Sequence, residues 1–296
     1  GIYGSMTLIL VALLCLFGMK PFDSFCIAFG TAGTGGFAVS GAGIAGYNSL
    51  AIEVTLGIFM LLFGVNFTVY HLIMLRKIKD ALFMEEVRAY FAIVAAATVA
   101  ITWNILSFAG GFGNALRQAF FQVTSIITTT GFATVDFELW PEFSKHMLLL
   151  LMVVGACAGS TGGGMKVSRV LIIVKSFVAE IRQIINPKAI VTVRVNGKPV
   201  DRKTLSSTRI YVAAYMLLLC LFTLVVSLDG FDFTTNFTAV LSCFNNIGPG
   251  LNKVGPMANF SIYSDWAKVV LSFAMLTGRL EIFPMFLLFA RSAHDR

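Results

Sequence analysis

The sequence predicts an all-α polytopic membrane protein assembled from a repeated unit: a membrane helix, a short helix that enters and leaves on one side, a glycine-bearing turn, and a second membrane helix. Three observations predict it. Hydrophobic residues make up 57% of the 296 and charged residues 12%, with a mean hydropathy of +0.84, far from the balance of a soluble domain. Runs 51–75, 90–109, 210–228 and 266–290 reach the ~20 residues that a bilayer core requires, and 3–19 is short but usable. Between these runs the same order of segments recurs three times.

The first unit opens with 3–19 and continues into PFDSFCIAFG (21–30), whose first-turn signals are Pro21 and Asp23. The turn TAGTGGFAVS (31–40) follows, then the run 51–75 and the basic loop RKIKD (76–80). The second unit holds 90–109, then GNALRQAFFQV (113–123) with Asn114 as its cap, the turn TSIITTTGFATVDF (124–137) and a long apolar run over 146–177. The third holds 210–228, then TTNFTAVLS (234–242) with Thr234 and Thr235 at its start, the turn CFNNIGPGLNKVG (243–255) and 266–290.

A helix of about ten residues rises only ~15 Å, half a bilayer core, so each short segment must enter and return on one side. Irregular backbone at that depth survives only when buried in protein or lining water. One such turn reads as an ordinary interhelical loop; three in register, each after a short helix, converge on a common aqueous path. With the helix C-termini toward the turns, the dipoles favour cations. Thr34-Gly35-Gly36, Thr129-Thr130-Gly131 and Asn246-Ile247-Gly248 offer glycine for unusual backbone angles and no carboxylate. Carbonyl oxygens, rather than side-chain charge, would then replace an ion's hydration shell.

The stretch GACAGSTGGGMK (155–166) imitates a phosphate-binding loop, but Met165 separates Gly164 from Lys166 and the flanks are apolar. It reads instead as a break in the run 146–177, since Gly159, Gly162, Gly163 and Gly164 hold a helix poorly. From Lys166 to Arg209 ten Lys/Arg face two acids, Glu180 and Asp201, which predicts a cytoplasmic segment. The loop at 76–80 shares that side; loops 38–49, 132–145 and 248–265, with only Lys145 and Lys253, lie opposite. Within the basic segment KAIVTVRVNGKPV (188–200) predicts a β-hairpin turning at Asn-Gly. The five cysteines, in apolar surroundings without CxxC spacing, read as small buried hydrophobes.

TGGF (34–37), TTGFAT (129–134), GACAGSTGGGMKVSR (155–169), NNIGPGL (245–251) and GRLEIF (278–283), in this order, resemble the Trk/Ktr/HKT superfamily of potassium and sodium transporters, and most closely the bacterial Trk-type potassium uptake membrane subunit. The resemblance implies four membrane–pore–membrane repeats around a pseudo-fourfold pore, of which this sequence carries the second (1–80), third (81–187) and fourth (206–296), with a basic hairpin linker at 188–205. The first repeat is absent before Gly1, and the expectation is a truncated sequence. The resemblance places the filter on Thr34, Gly35, Gly36, Thr129, Thr130, Gly131, Asn246, Ile247 and Gly248, with potassium at the backbone carbonyls of Gly36, Gly131 and Gly248. It makes Gly159, Ser160, Thr161, Gly162, Gly163, Gly164 and Lys166 an intramembrane gate, with Arg279 as barrier or latch. Lys166 reads equally as a positive-inside anchor, and Arg279 with Glu281 as structural ion pairing. Asn66, His71 and Asn104 read as interhelical hydrogen-bonding residues.

By resemblance the protein is a homodimer in the bacterial inner membrane, carries no cofactor of its own and meets nucleotide only through cytosolic nucleotide-binding (RCK-type) regulatory subunits, for which the basic hairpin is a docking surface. Anionic lipid explains that charge equally well, and no nucleic-acid partner is expected. Rival readings are a sodium or mixed-cation transporter, a non-transporting fragment, and an intramembrane hydrolase using Ser160 or Ser168 with His146.

Overall fold

The computed structural model describes residues 1–188, 191–280 and 282–287. Helix α1 (Ile2–Leu16) leads to α2 (Pro21–Ala32), α3 (Leu50–Phe63), α4 (Phe67–Met74) and the short α5 (Ile78–Leu82). Next come α6 (Glu85–Asn104), α7 (Phe112–Ile127), α8 (Glu142–Val153) and α9 (Val167–Ile185). A hairpin of β1 (Arg194–Val195) and β2 (Lys198–Pro199) precedes α10 (Arg202–Val226), α11 (Phe233–Asn245), α12 (Asp265–Arg279) and α13 (Ile282–Leu287). Each of the three short inner helices packs between its sequence neighbours: α2 on α1 and α3, α7 on α6 and α8, α11 on α10 and α12.

Burial explains why these segments sit inside rather than across. Every residue from Phe121 to Ile127 at the end of α7 is buried, as is every residue from Thr238 to Asn245 in α11. Buried polar groups there bond locally, for example Thr31 to the Ile27 carbonyl at 2.7 Å and Thr238 to the Thr234 carbonyl at 2.7 Å. One apolar core joins α1, α2 and α3 through Leu10, Ile27, Leu56 and Met60, and Phe121 and Phe132 from the next unit enter it. A second core runs through the remaining helices.

Several boundaries differ from the sequence reading. The run 51–75 is two helices, α3 and α4, bent by 90° at residues 64–66. Three phenols hold the elbow open: Tyr90, Tyr70 and Tyr3 donate to the carbonyls of Leu61 (3.3 Å), Leu62 (2.5 Å) and Phe63 (3.0 Å). These are last-turn carbonyls with no partner inside α3. Asn66 then caps α4, accepting from the Thr68 amide at 2.8 Å. His71 is exposed on α4 rather than bonded between helices, whereas Asn104 does accept from the Ser144 hydroxyl at 2.7 Å.

The span placed at 90–109 is helical five residues earlier, over Glu85–Asn104, because Glu85 and Glu86 favour a helix start and Gly110 and Gly111 adopt positive φ. Asn114 is not a cap; α7 begins at Phe112 after Gly111. In α11 the cap is Asp232, whose carboxylate accepts from the Thr235 amide (3.0 Å) and hydroxyl (2.7 Å). Run 266–290 is interrupted at Leu280, between α12 and α13, with Pro284 in the first turn of α13. Glu281 and His294 lie outside the described residues. Among the described residues two helices, Glu85–Asn104 and Arg202–Asp229, are long and apolar enough to cross a membrane alone, and the bent pair α3–α4 passes the same test together. Cys157 and Cys243 are buried, but Cys220 is exposed on α10.

The hairpin forms where Asn-Gly placed it, with Asn196 at φ 51° and Gly197 at φ 74°, the double left-handed pair of a tight two-residue turn. Its ladder is shorter than 188–200, pairing Arg194 with Pro199 and Val195 with Lys198. Ala189 and Ile190 lie outside the described residues.

Candidate functional site

Three turns leave the C-termini of α2, α7 and α11 with one geometry. Thr34 (φ 52°), Thr129 (φ 56°) and Asn246 (φ 56°) end the helices in the left-handed region, and two residues on, Gly36 (68°), Gly131 (84°) and Gly248 (117°) return to positive φ. The amides of the intervening Gly35, Thr130 and Ile247 reach back to the carbonyls of Gly30 (2.7 Å), Ser125 (2.9 Å) and Ser242 (2.9 Å), the wrapped ending that a left-handed cap allows. A β-branched threonine at positive φ is a backbone outlier of order 1–3 kcal/mol, a cost that persists where surroundings impose it and clusters at functional sites.

The turns face one another. A Cβ added at Gly36 would overlap the Thr130 carbonyl oxygen, and one at Gly131 would overlap the Ile247 carbonyl oxygen. Gly248 in turn looks toward the Gly131 Cα, 4.0 Å from its own Cβ position. Residues 34–36, 129–131 and 246–248 are thus brought together, glycine against carbonyl, while Thr129 and Thr130 are wholly buried.

Beneath them runs the irregular segment between α8 and α9. Its stem is tied by Gly155 N to Met165 O (2.8 Å) and Val167 N to Ala156 O (3.2 Å), and Gly159 and Gly164 turn through φ 67° and 68°. The loop packs against the turns: the Gly163 amide donates to the Thr129 hydroxyl at 2.6 Å. A Cβ at Gly163 would overlap the Asn245 carbonyl, and one at Gly162 would stand 3.1 Å from the Thr128 carbonyl. Any side chain at 162 or 163 would lift the loop away.

Arg279 at the end of α12 ties the loop to the turn after α2. Its guanidinium donates to the Thr161 carbonyl (3.1 Å), the Gly33 carbonyl (3.3 Å) and the Thr34 hydroxyl (3.5 Å). Thr34 itself donates to the Thr161 carbonyl at 3.1 Å. The Lys166 ammonium bonds the Gly162 carbonyl within the same loop. A cavity of about 370 Å³, open on one side, is lined by residues 159–164, Lys166, Gly278 and Arg279, so both cationic side chains border it.

Two acids at the start of α6, unremarked from sequence, anchor this assembly. Buried Glu86 accepts from the amides of Ala158 (2.6 Å) and Ser168 (3.2 Å) and stands 3.5 Å from the Asn66 amide nitrogen. It therefore holds both ends of the glycine loop and the α3–α4 elbow. Its neighbour Glu85 pairs with Lys175 on α9 and donates its backbone amide to the Asn196 side chain at the hairpin tip (2.7 Å). Loop and elbow also bond directly, Cys157 N to Gly64 O (3.0 Å) and Phe67 N to Gly159 O (3.1 Å). An acid pair opening an apolar run was the readable signal. A further missed pair, Glu53 on α3 with Arg117 on α7 (3.4 Å), holds α7 from the side.

The hydrolase geometry is not there. The Ser160 hydroxyl donates to the Cys157 carbonyl at 2.6 Å, and His146 sits exposed with Nδ1 at 2.7 Å from the Glu142 carbonyl, on the far side of the helix break. No group of three or more metal-ligating side chains occurs among the described residues.

Comparison with known proteins agrees with this architecture. A family model described as TrkH, cation transport protein, matches residues 11–295. The Trk system potassium uptake protein TrkG of Escherichia coli is 34% identical over 279 residues, 93% of this chain and 57% of the relative. TrkH of Vibrio parahaemolyticus is 34% identical over 293 residues, 97% of this chain and 60% of the relative. The crystal structure of the potassium transporter TrkH from Vibrio parahaemolyticus superposes with a TM-score of 0.91 at 33% identity, covering 99% of this chain and 64% of that one. The chain thus spans about 60% of the length of the curated relatives it matches. A match over nearly the whole chain, with apolar helices of membrane length, makes it an integral membrane protein of the TrkH cation transport family.

Proposed function

We propose that this chain forms the greater part of a potassium-translocating path, with the turns at 34–36, 129–131 and 246–248 as its selectivity filter and residues 159–166 as its gate. The observation that carries the reading is the threefold recurrence of one turn with positive φ, in which Gly36 packs against the Thr130 carbonyl and Gly131 against the Ile247 carbonyl of the following turn. Short-helix C-termini end at the turns, so partial negative charge meets a dehydrating cation. The carbonyls of Gly36, Gly131 and Gly248 replace its water, and no side-chain carboxylate competes. The names of the similar proteins support potassium as the ion.

Below the filter the loop blocks passage through bonds it must release to open: Gly163 to Thr129, and Arg279 to Thr161. Arg279 and Lys166 at the cavity wall oppose a resting cation there. Residues 1–80, 81–187 and 206–296 act as the second, third and fourth repeats, in the bacterial inner membrane with the 166–209 segment cytoplasmic. The protein works as a homodimer with RCK-type nucleotide-binding subunits, which dock on the basic hairpin.

The test is rubidium and sodium uptake into proteoliposomes bearing the intact gene product. Rubidium enters, sodium is excluded, and Gly131→Ser relaxes that preference, because its side chain cannot clear the Ile247 carbonyl. Equal entry of both ions into the unmodified vesicles would establish the mixed-cation alternative; absence of both, with no effect of Arg279→Ala, would remove the transport reading.

A further inference from the structure

The last turn of each short inner helix offers one residue to the turn it supports: Gly30 in α2, Ser125 in α7 and Ser242 in α11. Their carbonyls act alike, each accepting from the amide five residues on. Their side chains do not. The Ser125 hydroxyl donates to the Phe132 carbonyl at 2.6 Å, and the Ser242 hydroxyl accepts from the Gly248 amide at 3.0 Å. Helix hydroxyls ordinarily bond backwards to the carbonyl three or four residues before. Thr31, Thr124 and the α7 cap Thr128 do so, and Thr238 does so while also accepting from the Leu251 amide at 3.0 Å, well past the filter glycine. Ser125 and Ser242 instead reach forward, out of the helix, to the backbone just after or at the filter glycine.

Gly30 marks the same position without a hydroxyl. A Cβ built there would lie 3.5 Å from the Phe37 carbonyl oxygen and 3.9 Å from the Gly36 nitrogen, the two kinds of group that the serines hold in the other turns. The third near neighbour, the Phe132 ring at 3.5 Å, is in ordinary contact with that Cβ, so a Cβ at position 30 meets no clash.

We infer that Ser125 and Ser242 are positioning residues for ion discrimination, each tying one filter turn to its own helix, and that the turn at Gly36 is the most compliant of the three. The inference rests on the filter reading above. Discrimination by carbonyls requires that they neither close on a smaller ion nor swing away from the larger one, and a buried hydroxyl bonded to the turn resists both.

The experiment reads the ratio of sodium to rubidium flux through the intact gene product in proteoliposomes. Ser125→Ala and Ser242→Ala each raise the ratio by about threefold to tenfold, the factor that one lost buried hydrogen bond supplies. Gly30→Ser lowers it, and in the Ser125→Ala background brings it part of the way back. A purely structural serine would reduce both fluxes together and leave the ratio alone. Gly30→Ser, which empties no space, keeps the test open even where an alanine variant fails to assemble. A ratio within twofold of the unmodified protein in all three variants, while Gly131→Ser raises it, overturns the inference and leaves the filter standing. An unchanged ratio in Gly131→Ser as well removes the filter reading and the inference with it.

Discussion

Glu86 is 6% exposed and spends one carboxylate oxygen on two backbone amides of a single loop. Charged acceptors bonded to amides are the strong kind of hydrogen bond, and leaving such amides unpaired costs about 1–3 kcal/mol each. Glu86→Gln keeps the shape and an oxygen for Ala158 and Ser168 but removes the charge, and it sets an NH2 donor against the Asn66 amide nitrogen. The expected outcome is a rise in basal rubidium flux of severalfold together with a lower melting temperature in detergent, read on the same preparation. Asp232 carries a second residue-scale prediction. Bonds from the Thr235 hydroxyl and amide hold its carboxyl below the ordinary aspartate range, with Asn252 adding to them. A depressed pKa contributes stability above the unfolded value of about 3.9 and loses it as pH falls through the folded one. The melting-temperature gap between the unmodified protein and Asp232→Ala is therefore full near pH 6 and shrinks below about pH 4. Neither acid's role was legible: in MEEVRAY nothing in the spacing says which glutamate turns inward, and at Asp232 the threonines two and three residues later looked like equally good caps.

At the scale of elements, the elbow between α3 and α4 shows what periodicity conceals. Run 51–75 contains no proline and reads as one helix, because what breaks it lies elsewhere in the chain: Tyr3 on α1, Tyr90 on α6 and the loop residues Cys157 and Gly159. A helix end that survives on borrowed partners fails when they go. Tyr70→Phe leaves the Leu62 carbonyl without its phenol and lowers stability by about 1 kcal/mol; Asn66→Ala removes the α4 cap and costs a further ~1 kcal/mol, both measurable by thermal unfolding. The hairpin is the opposite case, since Asn-Gly specifies its own turn. Gly197→Ala, placed at φ 74°, is expected to cost about 1 kcal/mol or more and to loosen the contact of Asn196 with α6, seen as faster amide exchange at Glu85. The short helices were legible in their existence and, through their glycine turns, in their direction. Their exact starts were not, because caps such as Asp232 compete with equally good neighbours.

For the whole molecule, composition already pointed to a membrane as the solvent, and the asymmetry of Lys and Arg predicts which loops face the cytoplasm. With the five native cysteines replaced, a membrane-impermeant thiol reagent should label Lys253→Cys from outside intact cells and Lys198→Cys only after lysis; the reverse pattern would invert the assignment. What no linear pattern conveys is the convergence itself. Gly36, Gly131 and Gly248 are separated by about a hundred residues each, and the packing of Gly36 on the Thr130 carbonyl and of Gly131 on the Ile247 carbonyl emerges only when the three separately built helix units dock.

Consecutive residues on a helix point about 100° apart, and Glu85 and Glu86 use that angle to face two ways. The first grips the hairpin tip and Lys175, the second grips both ends of the glycine loop. The opening turn of α6 is thus one junction with two contacts, the hairpin tip held by the backbone amide of Glu85 and the glycine loop by the carboxylate of Glu86, so the two segments share a single helical turn as their common support.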